Sequence, residues 1–182
     1  MPMTGAINLL FHVPIFSYEV NEWDRKKKAL LSRINKNKFD YYDLATFQTD
    51  RQSDKNKYAL DFEQIFDEEL AKFKKEADVS YLKIKDIWTL KYSKVNESHC
   101  PHNHSSTGYT GILYLEHDSR VHPPTTFIGP WNEPKSDTTQ LSSLPNARPG
   151  IIYIWPSALL HYVDGMRTNK QRVITSWDME VK

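Results

Sequence analysis

Two neighbouring stretches decide the fold: Pro-His-Asn-His at residues 101–104 and Gly-Tyr-Thr-Gly-Ile-Leu-Tyr-Leu-Glu at residues 108–116. Side chains of an extended chain alternate between its two faces, so His102 and His104 project to the same side. Two imidazoles placed in this way can take neighbouring positions on one metal ion. The glycine-punctuated apolar run behind them is typical of a buried β-strand. We therefore predict that the pair belongs to a metal site next to a buried strand.

A third histidine and an arginine follow two further apolar runs. His161 comes after Ile-Ile-Tyr-Ile-Trp-Pro at residues 151–156, and Arg172 opens the run Arg-Val-Ile-Thr-Ser-Trp at residues 172–177. We predict that His102, His104 and His161 bind one iron. Three protein ligands on one face of an octahedral Fe(II) leave three positions open, two for a bidentate 2-oxo acid and one for dioxygen.

The arginine has the chemistry to hold the other end of such a cosubstrate. A guanidinium forks onto a carboxylate with two parallel hydrogen bonds, so Arg172, placed deeper in the barrel, is predicted to bind the far carboxylate. Along the final strand, Arg172, Ile174 and Ser176 face the same side. The Ser176 hydroxyl is therefore a second candidate for this contact.

The composition is that of a globular protein. The 182 residues are 39% hydrophobic and 13% aromatic, which suits one domain with a proper core. A net charge of +1 gives no electrostatic basis for binding nucleic acid or a membrane surface. No apolar run approaches the ~20 residues of a membrane span. The one cysteine, Cys100, excludes an intramolecular disulfide and suits a reducing cytoplasm, where we expect the protein to reside.

Before residue 81 the patterns are mainly helical. We predict an opening strand at residues 7–16, a helix capped by Asn21 and a longer helix that begins at Asp61, whose polar face includes Glu69. Between these helices, residues 39–57 show no sustained period and form a candidate loop or lid.

From residue 81 onward at least six short strands alternate with turns. Helices followed by strands predict an α+β fold, in which an antiparallel sandwich or barrel carries helices on one outer face. We predict a single domain, 1–182, in which residues 1–80 contribute a strand and supporting helices. Residues 81–182 then form the core with the metal site.

Roughly residues 88–181 resemble the Fe(II)/2-oxoglutarate-dependent oxygenase superfamily, and in particular its prolyl-4-hydroxylase-like branch. Residues 101–104 and 110–116 are similar to the family's His-x-Asp motif and the strand that follows it. Pro-Ser-Ala-Leu-Leu-His-Tyr-Val at residues 156–163 resembles the distal-histidine motif, and residues 172–177 are similar to the arginine strand. Oxygenases that carry Pro-His-x-His and Pro-Ser…His are especially similar.

The resemblance implies a double-stranded β-helix, a jelly roll of the cupin-like type, supported by N-terminal helices. It implies Fe(II), 2-oxoglutarate as cosubstrate and O2, with decarboxylation of 2-oxoglutarate to succinate and hydroxylation of a second substrate. Tyr114 matches a tyrosine that contacts the 2-oxoglutarate carboxylate, and Tyr92 sits where another tyrosine lines that pocket. A peptidyl proline is the substrate class that the resemblance favours, while small molecules and nucleobases stay open.

One departure from the family pattern concerns the metal. His104 stands where the family has a carboxylate ligand, so the site would be one unit more positive. Either His104 is the third ligand, or a carboxylate from elsewhere, such as Glu116 or Asp118, completes the site. Of the other histidines, His99 is a candidate for contact with a metal-binding residue, and we predict that His117 and His122 lie in surface turns. None of these three histidines belongs to the predicted ligand set.

Two rival functions come from different classes. One is a cupin-type dioxygenase with three histidines that uses no 2-oxo acid, which Arg172 argues against because such an enzyme needs no deep carboxylate clamp. The other is a non-enzymatic β-sandwich binding module in which the histidines are incidental.

Overall fold

The computed structural model describes residues 13–41, 46–51, 58–132 and 135–182. Its helices are α1 (Trp23–Ile34), α2 (Ala59–Ile65) and α3 (Asp67–Glu76). Its strands are β1 (Phe16–Glu19), β2 (Asp40–Tyr41), β3 (Gln48–Thr49), β4 (Leu82–Tyr92), β5 (His99–His102), β6 (Tyr109–Glu116), β7 (Thr125–Asn132), β8 (Thr139–Ser143), β9 (Ile151–Pro156), β10 (His161–Val163) and β11 (Arg172–Val181). None of the helices described is long and apolar enough to cross a membrane.

Two antiparallel sheets face each other. The large sheet has the strand order β1-β9-β6-β11-β4-β3-β2, and the small sheet has the order β5-β10-β7-β8. Strands β4, β6, β9 and β11 belong to the large sheet, whereas β5, β7, β8 and β10 belong to the small one, so the chain crosses repeatedly between the sheets. This arrangement is a double-stranded β-helix. The predicted α+β jelly roll is therefore confirmed.

Strand β6 separates two hydrophobic cores because its side chains alternate. Leu113 and Leu115 pack with the helices on one side of the large sheet. Ile112 and Tyr114 lie in the other core, between the two sheets. Since both faces of the strand are covered, residues 109–116 carry an almost continuous apolar run rather than an alternating one.

The helices cover the outer face of the large sheet. Phe62 of α2 packs on Trp177 of β11, with ring centroids 4.5 Å apart. Lys26 of α1 donates to both carboxylate oxygens of Glu69 of α3, at 3.0 and 2.9 Å, and both side chains are buried. The prediction that Glu69 lies on a polar face is wrong, because the ammonium of Lys26 holds its carboxylate inside the protein.

The predicted helix starts are also wrong in detail. Glu22, with a φ of 52°, occupies the N-cap position of α1 in place of Asn21, and no side chain caps the helix. Asp61 lies inside the first turn of α2, which begins at Ala59. Phe66, with φ −113° and ψ 28°, interrupts the predicted long helix and separates α2 from α3.

Two predicted segments lie partly outside the described residues. The predicted opening strand at residues 7–16 falls mostly there, and β1 begins only at Phe16, where it pairs with β9. Within residues 39–57, strand β2 pairs with β3, and β3 pairs with β4. The described parts of the predicted loop or lid thus extend the large sheet, and the rest of it lies outside the described residues.

Candidate metal and cosubstrate site

The three predicted iron ligands converge between the sheets. His102 ends β5 and His161 begins β10, and these two residues are direct partners across the small sheet. His104 lies two residues beyond β5, where its backbone N–H donates to the carbonyl of Ser157 at 3.0 Å. One donor atom from each of the three imidazoles lies within 4.8 Å of the others. The structure therefore brings together residues that are up to 59 positions apart, since 161 − 102 = 59.

Hydrogen bonds to the Nδ1 atoms orient the three rings. His102 donates to the carbonyl of Cys100 at 2.8 Å, and His161 donates to the carbonyl of Leu159 at 2.9 Å. His104 donates from Nδ1 to the carboxylate of Asp178 at 2.6 Å. With the proton on Nδ1, each ring keeps the lone pair of Nε2 for a metal, which is the usual arrangement of metal-binding histidines.

Burial keeps two of these imidazoles in the neutral form that binds metal. Burial lowers the pKa of His161 to about 3, and the neighbouring His102 adds to the effect. Burial also lowers the pKa of His102. The His99 ring stacks on that of His102 with a centroid separation of 3.9 Å and lines the same cavity. The site accordingly offers neutral nitrogen donors near neutral pH, which suits iron and other first-row transition metals.

Neither alternative carboxylate lies in the cluster. Among the described residues, the converging donors are the three histidines. Asp118 instead pairs with Arg120 and Lys170, at 2.8 and 2.7 Å, and these partners hold the pKa of its carboxyl below its usual range. Glu116 lies at the end of β6 opposite Val173 of β11. The ligand set that the geometry offers therefore contains three imidazoles.

The predicted cosubstrate clamp is a fully buried arginine. The Arg172 side chain lies between the rings of Tyr92 and Tyr114, with its guanidinium carbon 4.8 and 5.4 Å from their centroids. Its three guanidinium nitrogens have no hydrogen-bond partner among the residues that the structure describes. A buried cation without a partner is costly, so this geometry calls for an anion. The carboxylate of 2-oxoglutarate fits that requirement.

Of the remaining predicted residues, Tyr92 and Ser176 line the same cavity, and Tyr114 packs against Arg172. Tyr92 is fully buried, burial raises the pKa of its hydroxyl to about 12 against the opposing charge of Arg172, and its oxygen has no partner in the described part of the chain. Ser176 lines the cavity and donates to the carbonyl of Gly111 at 3.3 Å. The Tyr114 hydroxyl accepts the backbone N–H of Thr125 at 3.2 Å, so its oxygen is already engaged.

The predictions made from the sequence missed or misplaced three residues near the site. His122 is buried: its Nδ1 accepts the backbone N–H of Asp118, and its Nε2 donates to the carbonyl of Lys170, both at 3.0 Å. His117 packs against Tyr114, and both of its ring nitrogens are buried. The prediction that these two histidines lie in surface turns is wrong. The third residue, Asp178, gave no sequence signal because it binds His104 from 74 positions away.

A family model described as "Putative 2OG-Fe(II) oxygenase" matches residues 86–178, just over half of the chain. The chain belongs to the 2OG-Fe(II) oxygenase family. The matched region runs from β4 to β11 and includes the three histidines and Arg172. Fe(II), 2-oxoglutarate and O2 are therefore the metal, the cosubstrate and the oxidant of this oxygenase. No curated protein matches the chain significantly.

Solved structures with the same fold are distant in sequence. The oxygenase is similar to the 2-oxoglutarate-dependent epimerase SnoN from nogalamycin biosynthesis, with a TM-score of 0.69 and 14% identity over 91% of this chain and 77% of that one. HygX from Streptomyces hygroscopicus, with nickel and 2-oxoglutarate bound, has a TM-score of 0.65 and 13% identity over 92% of this chain and 82% of that one. A prolyl-4-hydroxylase from Pseudomonas putida has a TM-score of 0.55 and 11% identity over 90% of this chain and 91% of that one. At these identities the likeness shows the fold.

Proposed function

We propose that this oxygenase is an Fe(II)- and 2-oxoglutarate-dependent hydroxylase with a three-histidine iron site. His102, His104 and His161 would hold the iron through Nε2, and Arg172 would hold the far carboxylate of 2-oxoglutarate. When bound, iron supplies oxidative decarboxylation of 2-oxoglutarate to succinate and carbon dioxide, coupled to hydroxylation of a C–H bond of the second substrate. The chain itself binds and orients both groups.

The observation that carries the proposal is the fully buried guanidinium of Arg172, which has no hydrogen-bond partner in the described part of the chain. Strand β11 carries it, and Ile174 and Ser176, further along this strand, line the cavity that also contains the three histidines. A dioxygenase that uses no 2-oxo acid would have no need of a buried cation there, and an incidental histidine cluster would not explain it. A dicarboxylic 2-oxo acid would account for both features, because its 2-oxo end could bind the metal on the histidines while its far carboxylate binds Arg172.

The aromatic side chains around the cavity would exclude water from it. Trp88 and Trp155 line it, and both are buried. Trp155 also packs edge-on against His161, with ring centroids 5.2 Å apart. In such a dry cavity the hydrogen bonds from Arg172, Ser176 and Tyr92 to a carboxylate would be stronger than in water. These residues would then fix how far the 2-oxo acid reaches towards the metal.

The second substrate is an open part of the proposal. A peptidyl proline is the first candidate because of the resemblance to the prolyl-4-hydroxylase-like branch. SnoN is an epimerase and HygX has been crystallised with hygromycin B, so proteins of this fold also act on or bind other molecules. We further place the oxygenase in a reducing compartment, the cytoplasm, which suits the exposed thiol of Cys100 and keeps iron ferrous.

The experiment is anaerobic addition of Fe(II) and then 2-oxoglutarate, followed by visible absorption. Chelation of iron by the 2-oxo acid should give a metal-to-ligand charge-transfer band in the wild type. Arg172→Ala should lose the band at the same concentration, because each hydrogen bond between charged groups contributes about 1.5–3 kcal/mol. Succinate formed in air would then allow candidate substrates to be screened.

The matched control is Arg148→Ala, which removes a guanidinium that pairs with Glu19 at the surface. This variant should keep the band, and circular dichroism should show that both variants are folded. An unchanged band in folded Arg172→Ala, or no band in the wild type, would contradict the proposal.

A further inference from the structure

The third histidine differs from the other two in what its ring is bonded to. The Nδ1 atoms of His102 and His161 donate to neutral backbone carbonyls. The Nδ1 of His104 donates to a carboxylate, that of Asp178, and this bond of 2.6 Å is the shortest of the three. Short bonds of this kind are typical of charge-assisted pairs. The side chain of His104 is 5% exposed and that of Asp178 is 25% exposed, so the pair is largely shielded from water.

A closed set of hydrogen bonds fixes Asp178 in this position. Thr110 of β6, its partner across the sheet, donates its hydroxyl to the same carboxylate oxygen at 2.9 Å. The hydroxyl of Thr110 also bonds that of Ser157 at 2.9 Å. The carbonyl of Ser157 accepts the backbone N–H of His104 at 3.0 Å, which closes the circuit. The carboxylate and the imidazole are thus held against each other from both sides.

The charge of the site makes this pair informative. Three neutral imidazoles leave the full double charge of a ferrous ion, whereas a carboxylate ligand would neutralise one unit of it. Asp178 carries one negative charge and is separated from the predicted metal position only by the ring of His104. Hydrogen bonding of a metal-binding histidine to a carboxylate raises the basicity of its other nitrogen.

We propose that Asp178 acts through His104 as a positioning residue that supplies the negative charge missing from the three-histidine set, and that it thereby sets the affinity and electronic state of the bound iron. This inference rests on the proposed function, because it requires that His104 is a ligand. It assigns to Asp178 a role that the family motif at residues 101–104 does not contain. The carboxylate is not itself a ligand: it is hydrogen-bonded to Nδ1 of His104, and the imidazole ring lies between it and the predicted metal position.

The test compares Fe(II) affinities, measured without oxygen by competition with a coloured chelator. Asp178→Asn keeps the size of the side chain and an oxygen that can accept from His104, but it removes the charge. Its dissociation constant for Fe(II) should rise about 10- to 100-fold, the range typical of lost carboxylate partners of metal-binding histidines. The charge-transfer band formed with 2-oxoglutarate should move to shorter wavelength, because a less negative ligand set stabilises the ferrous d electrons.

A neighbouring carboxylate provides the matched control. Asp86 lies directly across from Asp178 on β4 and pairs with Arg51 at 3.9 Å. Asp86→Asn removes the same unit of charge close to the site and leaves the bond to His104 in place. The inference predicts a much smaller change in Fe(II) affinity and no shift of the band. An equal effect of the two variants would overturn it, because the charge would then act only through space.

A rescue experiment separates the loss of the negative charge from a loss of folding as the cause of weaker Fe(II) binding. In the double variant His104→Asp/Asp178→Asn the negative charge is placed on the ligand itself, and most of the Fe(II) affinity lost in Asp178→Asn should return. Thermal unfolding of the metal-free proteins shows whether a variant is simply unstable.

The possible failures are distinguishable. If His161→Ala abolishes Fe(II) binding while Asp178→Asn binds as tightly as the wild type, the inference is overturned and the proposed function stands. If the wild type binds no Fe(II), the proposed function itself fails.

Discussion

Two histidines outside the predicted metal site, the buried His122 and His117 with its buried ring nitrogens, make the stability of the protein depend on pH. Burial, followed by the nearby charge of Arg172, lowers the pKa of His117 to about 3. Burial also lowers the pKa of His122, and Arg172 again contributes. The unfolded chain gains a proton on each ring below a pH of about 6.5, whereas in the folded protein His117 gains its proton only near pH 3 and His122 at a pH below its usual range. The contribution of these two histidines to the free energy of unfolding is therefore fully present above a pH of about 6.5 and is lost as the pH falls below it.

We predict that the urea midpoint of the metal-free protein decreases between about pH 7.5 and pH 5, a window in which ordinary carboxylates stay ionised. Each histidine that the fold keeps neutral contributes a slope of up to about 1.4 kcal/mol per pH unit. His117→Gln should show a shallower dependence than the wild type, because one proton fewer is linked to unfolding. Identical slopes in the two proteins would show that His117 titrates normally in the fold.

Individual site residues differed in how far the sequence could identify them. The spacing of His102 and His104 indicates a shared face, and His161 and Arg172 are marked by the apolar strands beside them. No local pattern identifies Asp178, because its role depends on β11 lying next to the residues that follow β5, where His104 is found. His122 was misplaced for a related reason: its buried position depends on a bond to Lys170, 48 residues away, which no local pattern reveals.

At the scale of elements, strand β6 depends on a glycine at its third position, Gly111. Gly111 lies opposite Trp177 on β11, and a Cβ atom added to it would stand 2.3 Å from that indole ring. Trp177 is fully buried and packs against Phe62. We predict that Gly111→Ala lowers the free energy of unfolding by about 1–3 kcal/mol, the usual cost of overpacking a core. Urea unfolding measures the change.

Gly165 provides the control for this substitution. A Cβ atom there would meet Asn96 at an ordinary distance of 3.5 Å, so Gly165→Ala should unfold at nearly the wild-type urea concentration. If Gly111→Ala were as stable as Gly165→Ala, the close packing of β6 against Trp177 would be refuted.

Strands were easier to predict than the ends of helices. Residues 151–156 and 172–177 are apolar runs that the structure places in β9 and β11. The break between α2 and α3 had no signal, because Phe62, Phe66, Leu70 and Phe73 keep the helical spacing across it and all are buried. Glu69 and Lys26 each look like solvated residues in the sequence. Only the packing of α1 against α3 makes them a buried pair.

At the scale of the whole molecule, the large sheet connects everything else. One of its faces forms a core with the helices, and the other forms a core with the small sheet. Since neither core can persist without this sheet, we propose that the chain is a single domain. Each urea curve of the pH series should then show one transition, coincident by fluorescence and circular dichroism. Two separated transitions would contradict a single domain.

The site also depends on both sheets. His102 and His161 belong to the small sheet, whereas Arg172 belongs to the large one, so the metal and the cosubstrate clamp face each other only in the closed sandwich. This meeting was predicted from the chemistry that an iron-bound 2-oxo acid requires, whereas composition and charge carry no information about which sheet holds each residue.

The most direct test of the account is a crystal structure of the protein grown without oxygen in the presence of Fe(II) and 2-oxoglutarate, with diffraction recorded on both sides of the iron absorption edge. The account predicts one iron bound by His102, His104 and His161, with the 2-oxoglutarate carboxylate on Arg172. Iron bound elsewhere, or an Arg172 guanidinium that does not touch the cosubstrate, would contradict it.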